Sequence, residues 1–186
     1  MATNLQLVKE VSLQEGSGTG FTPFSITDCF NANYDTYYVT INNIDGNLAG
    51  YYIWLRFIDN GGSIITDSEY AWSCHLMRSN SGFSSQRSAN TTLINMVGFS
   101  GSGSFTDDRY DTGTGFYVYK PFDANYMTMV TAEFGGSYNT PEHWGGQTIG
   151  VHKQQEQVTG MTFGGHSAFY FAKIQVFGVK KWATAV

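Results

Sequence analysis

YDTYYVTINNIDGNLAGYYIWLRFIDNGGS, residues 34–63, is the stretch whose reading decides the fold. In its first half Tyr37, Val39 and Ile41 share one face, with Tyr38, Thr40 and Asn42 on the other. In its second half Tyr51, Ile53, Leu55 and Phe57 alternate with Tyr52, Trp54 and Arg56. Alternation of this kind, rich in aromatic and β-branched residues, marks half-buried antiparallel strands. Asp45-Gly46-Asn47 and Asp59-Asn60-Gly61-Gly62 accept turn geometry. The expected unit is a long β-hairpin with a wide apolar face that the remaining strands must cover.

Outward from this unit the same period recurs. Leu5, Leu7 and Val11 alternate loosely near the N-terminus, before the break EGSGTG at 15–20. FTPFSITDCF at 21–30 is a short strand, and SEYAWSCHLMR at 68–78 places Tyr70, Trp72, Cys74 and Leu76 on one face. Further strands are expected at TTLINMVGF (91–99), FYVYK (116–120, stopped by Pro121), YMTMVTAEF (126–134), Met161 to Phe163, and SAFYFAKIQVFGVK (167–180). In the last, Tyr170, Ala172, Ile174 and Val176 point inward. Residues 79–90, 101–115 and 135–146 read as loops, and 148–158 as a polar edge strand. Gly61-Gly62, Gly135-Gly136, Gly145-Gly146 and Gly164-Gly165 read as chain reversals without a fixed repeat. No segment keeps a helical period over three turns. The expectation is an all-β antiparallel sandwich of about eight strands, a jelly roll. Its divisions are an N-terminal arm or edge strand at 1–20, one domain at 21–181 and a short tail at 182–186.

Composition narrows the function classes. Charged residues make up 13% and aromatics 16%, with 22 glycines and 3 prolines. So few charges suit a surface that meets neighbours or sugars. The net charge of −5 and the scattered basic residues argue against nucleic acid as a partner. Cys29 and Cys74 form no disulfide framework or metal-ligand spacing and are expected to be free and buried. The N-terminal MATNLQLVKE lacks the apolar core of a signal peptide. No apolar run approaches the ~20 residues that span a membrane, so no membrane insertion is expected.

No catalytic site is expected. Asp111-Thr112-Gly113-Thr114 matches the short aspartic-protease signature but follows a hydrophilic loop instead of an apolar strand, and that chemistry needs two aspartates sharing a proton. Asp107, Asp108 and Asp111 offer oxygens to Ca²⁺ without the spacing of an EF-hand, and Arg109 sits among them. GSGTGF at 16–21 and GSGSF at 101–105 lack the lysine ending of a phosphate loop. His75, His143, His152 and His166 show no zinc spacing. Glu133 with Asp123 or Glu142 would make a glycosidase pair only if the fold brought two carboxylates together. The serines lack a nucleophile elbow. Tyr138, His143 and Trp144, on one Gly-rich segment, are the binding candidates, since exposed aromatics stack on sugar rings or anchor an interface.

The segments ITDCF (26–30), YDTYYVTINNI (34–44), YIWLRFID (52–59), Gly61-Gly62 before SEYAWS (68–73), VTGMTFGG (158–165) and AKIQVFGVKK (172–181) share a further likeness. Together they resemble a family of small virion structural proteins of tailed bacteriophages, of the marine and cyanophage type. The resemblance runs from about Leu5 to Lys181 and carries no catalytic residue or cofactor to this chain. It implies a non-enzymatic β-sandwich of the tail, fibre, baseplate or capsid surface, assembled in the host cytoplasm. It also implies a homo-oligomer, with a trimer as the guess from fibre proteins, in contact with other virion proteins. The alternative expectation is a receptor-recognition module binding a host surface glycan through loop aromatics.

Overall fold

The computed structural model describes residues 4–14, 23–46, 52–79, 82–98, 113–138, 142–164 and 169–180. They form twelve strands: β1 (Leu5–Gln14), β2 (Phe24–Ile26), β3 (Thr36–Gly46), β4 (Tyr52–Asp59), β5 (Tyr70–Arg78), β6 (Gly82–Thr91), β7 (Ile94–Gly98), β8 (Gly113–Tyr119), β9 (Thr128–Tyr138), β10 (Glu142–His152), β11 (Val158–Gly164) and β12 (Phe169–Val179). No helix occurs among the described residues. An eight-stranded sheet runs in the order β1-β12-β3-β8-β9-β10-β5-β6, and a four-stranded sheet in the order β2-β11-β4-β7. The strand pairs within both sheets are antiparallel. The sandwich expected from the alternation is the fold observed, with twelve described strands where about eight were expected.

The expected hairpin is not formed. β3 lies in the large sheet between β12 and β8, and β4 in the small sheet between β11 and β7. The buried faces were read correctly: Tyr37, Val39 and Ile41 of β3 and Ile53, Leu55 and Phe57 of β4 all enter one core. Alternation reports which side of a strand is buried and is blind to the partner. Both strands bury the same kind of face because the two sheets press those faces together, as sandwiches do. Phe116 of β8 meets Phe163 of β11 across the layers, ring centroids 5.9 Å apart.

Three other expectations are corrected. Residues 82–91 form β6, an edge strand exposed along nearly its whole length; with no buried face it has no apolar period. The segment read as a polar edge strand belongs to β10, an interior strand between β9 and β5. Its inward residues are Gly146, Thr148, Gly150 and His152, all buried, so its core face reads as polar. The stretch read as a loop at 135–146 is largely β9 and β10, paired as far as Tyr138 opposite Glu142. Gly135 and Gly145 sit opposite each other in that ladder and mark no reversal. Gly61-Gly62 does turn the chain, with Gly62 at a φ of 82°.

The sheets come closest where β10 passes under β7. A Cβ on Gly150 would lie 2.5 Å from Cγ2 of the fully buried Ile94. Thr148 Oγ1 donates to the carbonyl of Met96 at 3.1 Å. From β5, the Tyr70 hydroxyl accepts the Phe57 N–H at 3.0 Å and donates to the Ile65 carbonyl at 3.2 Å. Gly150→Ala should therefore force Ile94 or β7 aside and cost about 1–3 kcal/mol. Urea denaturation measures this; an unchanged midpoint would contradict the close approach.

Cys29 and Cys74 are free and buried. Burial pushes the Cys29 thiol from 9.0 up to about 12 and raises Cys74 as well. Burial likewise moves Tyr37 from 10.0 to about 12. These groups hold their protons more tightly folded than unfolded. Their contribution to stability is complete below pH 9 and drains away towards pH 12. The denaturation midpoint should fall across that window, and native Cys29 should escape alkylation until the chain unfolds. A flat midpoint, or rapid native labelling of Cys29, would contradict this.

Candidate functional site

The outer face of the large sheet is built by the residues that alternate with the core. Outward from β3 point Tyr38 and Thr40, and from β8 Gly115, Tyr117 and Tyr119. β9 contributes Met129, Thr131 and Glu133; β10 contributes Gln147, Ile149 and Val151; β5 contributes Ala71, Ser73 and His75. The pairing register sorts them into rows across the strands. One row is Thr40, Gly115, Glu133, Gln147, His75 and Ser85. The next is Tyr38, Tyr117, Thr131, Ile149, Ser73 and Arg87. The third is Thr36, Tyr119, Met129, Val151, Ala71 and Ala89. Six strands at ~4.8 Å spacing make each row about 24 Å long.

Polar side chains in the first row are held in pairs. Gln147 Nε2 donates to Glu133 Oε1 at 3.1 Å, and His75 Nδ1 lies 3.0 Å from Ser85 Oγ. The His75 ring stacks on Phe83, centroids 5.5 Å apart. Beside this row Gly113, Gly135 and Gly145 are register neighbours, so three adjacent strands present bare backbone. On the other side the tyrosines form a shelf. Tyr38 and Tyr117 are 4.9 Å apart, Tyr117 and Tyr119 6.1 Å, and Tyr119 Oη sits 3.1 Å from Thr131 Oγ1. The glycine at 115 makes room for this shelf: a Cβ there would lie 2.5 Å from the Tyr38 hydroxyl. Tyr38, Tyr117, Glu133, Gln147 and Ile149 line a groove of about 510 Å³. Aromatic faces beside amide, carboxylate and hydroxyl groups match a ligand that is itself apolar on one side and hydroxylated on the other.

The residues singled out in the sequence lie elsewhere. Tyr138 ends β9, and His143 and Trp144 begin β10; they are ladder residues, with His143 opposite Ser137 and Trp144 opposite Gly136. Asp107, Asp108 and Asp111 lie outside the described residues. Glu133 and Glu142 are not brought together. Glu133 faces Gln147, and Glu142 lies five residues further along β10, about 17 Å at ~3.4 Å per residue. Asp123 instead pairs with Lys120, which also holds Asp35 at 3.1 Å. The tyrosine shelf and the Gln147–Glu133 row went unmarked in the sequence because they are the outward half of ordinary strands. The doublet Tyr37-Tyr38 and the FYVY of β8 were its only signal, since each puts a tyrosine on the wet side.

The structure also joins groups that no spacing predicted. His152 Nε2 lies 3.4 Å from Glu69 Oε2 and 3.3 Å from Glu156 Oε1. The imidazole is fully buried, and neither ring nitrogen has a hydrogen-bond partner. Glu69 comes from the residue before β5, and Glu156 from the segment between β10 and β11.

No protein-family model matches the chain, and no curated protein matches it. Among solved structures the chain is similar to a marine PL-14 alginate lyase from Aplysia kurodai. Identity is 8% and the TM-score 0.35, over 80% of this chain and 70% of that one. It is similar to an alginate lyase from Alteromonas sp. 272 at 6% identity and a TM-score of 0.24, over 91% and 84%. It is similar to the CBM2 module of an evolved Dit from Lactobacillus casei BL23 phage J-1 at 7% identity and a TM-score of 0.16, over 86% and 70%. Likenesses at these scores carry no conclusion about what the chain does.

Proposed function

We propose that this chain is a non-enzymatic component of a tailed-phage particle, a sandwich wound as a jelly roll, that binds an extended carbohydrate chain across the outer face of its large sheet. The observation that carries the binding is the groove in which Tyr38, Tyr117 and Tyr119 form a shelf beside Gln147 and Glu133. Sugar rings offer CH faces to aromatics and hydroxyls to amides, and a row about 24 Å long accommodates several of them. Placement on a particle rests on the resemblance of the strand segments to phage structural proteins. The non-enzymatic part rests on the same resemblance, which carries no catalytic residue to this chain.

A second reading, self-association, is favoured by the apolar end of the same face. Met129 and Ile149 are exposed there next to Val151, Ala71 and Ala89. Apolar surface of this kind marks contact sites. A stable oligomer in light scattering that Ile149→Lys dissolves would support it; a monomer at all concentrations would remove it.

Carbohydrate binding is tested by affinity electrophoresis against a panel of neutral and acidic polysaccharides. At least one should retard the protein. Tyr117→Ala should weaken that binding about tenfold, equivalent to ~1.4 kcal/mol of lost stacking. Gly115→Val, which displaces the Tyr38 ring, should weaken it without unfolding the protein. No retardation by any polysaccharide, or affinity indifferent to both variants, would overturn the reading. Release of reducing ends from the bound polysaccharide would overturn its non-enzymatic part.

A further inference from the structure

We infer that Glu69, His152 and Glu156 form a binding site for one divalent transition-metal ion of the zinc class. One donor atom from each residue lies within 4.8 Å of the others. The two nitrogen-to-oxygen separations, 3.4 Å and 3.3 Å, suit a common metal. Metal–donor arms of ~2.0–2.1 Å at the tetrahedral angle hold neighbouring donors about 3.3 Å apart. The two histidine-to-carboxylate separations therefore match those arms, and the three donor atoms converge within 4.8 Å.

The burial of the histidine is a second observation that points to an ion. Its side chain is fully enclosed, Nδ1 lacks a hydrogen-bond partner, and Nε2 faces the two carboxylates without an aligned hydrogen bond to either. A buried polar atom without a partner is costly and rare. A cation at Nε2 gives that nitrogen a partner and compensates two carboxylates facing one point. The ring is held by packing, with Tyr70 at 5.0 Å and Phe57 at 6.2 Å between centroids. Glu69 is held as well: its Oε1 accepts Gln154 Nε2 at 2.8 Å, and its carbonyl accepts the Lys153 N–H at 2.8 Å. Oriented carboxylates of this kind are what ligand sites keep around a metal.

The donor set selects the ion. Calcium and magnesium prefer oxygen alone, whereas one imidazole with two carboxylates suits zinc and its neighbours. Glu69 and Glu156 are partly exposed, so solvent can enter the fourth position. The ion would tie the start of β5, the end of β10 and the segment leading to β11. It would act as a brace at one end of the sandwich, remote from any reaction.

The test uses the full chain. After incubation with zinc chloride and desalting, the protein should retain one zinc per chain by elemental analysis. Cobalt(II) should give the intense visible bands of a tetrahedral site, and zinc should raise the thermal midpoint. Glu156→Gln, at a partly exposed position, should keep the metal-free midpoint and lose at least tenfold in zinc affinity. His152→Gln should abolish binding if it folds. No retained zinc and no cobalt bands in the wild type would overturn the inference. So would a folded Glu156→Gln variant with unchanged affinity.

Discussion

The structure depends on how closely the small sheet can settle on the large one along β5 and β10. Three residues set that approach. Gly150 leaves room for Ile94, Thr148 satisfies the Met96 carbonyl, and Tyr70 bridges Phe57 N–H and the Ile65 carbonyl. Backbone groups at a strand edge inside a sandwich would otherwise be buried without partners, at about 1–3 kcal/mol each. The tyrosine is well placed for this because its ring enters the apolar core while its hydroxyl reaches the far layer. Burial raises its pKa, so it stays a neutral donor and acceptor over ordinary pH.

This approach has consequences on both sides of the large sheet. At ~4.8 Å per neighbour, four strands cover about half the width of eight. β7, the edge of the small sheet, packs chiefly on β10 and β5. A strand beyond the cover needs no apolar face, and β6 has none. On the other side, β10 fills its inward positions with glycine, threonine and histidine, and its outward positions carry Gln147, Ile149 and Val151. The strand is thus more apolar outside than inside at its middle. That inversion places groove and apolar patch side by side on one face.

It also explains what the sequence could and could not tell. Strands with one apolar face were legible: β3, β4, β5, β8, β9 and β12 were all anticipated, and for β3, β4, β5 and β12 the described buried residues lie on the expected side. The partner of each strand was not, because a strand that buries Val39 and Ile41 looks the same whether its neighbour is in the same sheet or the opposite one. β6 was lost because no face is buried, and β10 because its buried face is small and polar. The groove is a property of four strands in register, β3, β8, β9 and β10. No single segment carries it. The Glu69–His152–Glu156 cluster spans 88 positions of sequence, from residue 69 to 156 counted inclusively, and only the ladder between β5 and β10 brings it together.

The edges of the two sheets are guarded, whereas the outer face of the large sheet is open. Free edges invite strand addition, and proteins blunt them with short strands, charges or polar runs. β2 has 3 residues and β7 has 5, so the small sheet offers little edge. In the large sheet β1 carries Lys9 and Glu10, with Lys173 of β12 reaching the Glu10 carboxylate at 3.3 Å. β6 is serine, glutamine, arginine and asparagine over most of its length. The centre of the large sheet has no such defence: Tyr117, Met129 and Ile149 stand in solvent, with Glu133, His75 and Arg87 as the charged or basic side chains in the rows. A chain that protects its edges and leaves one face aromatic, amide-lined and nearly uncharged has put its low charge content to use there. With 13% of charged residues in the chain, Glu133, His75 and Arg87 are the charged or basic side chains in the three rows of that face.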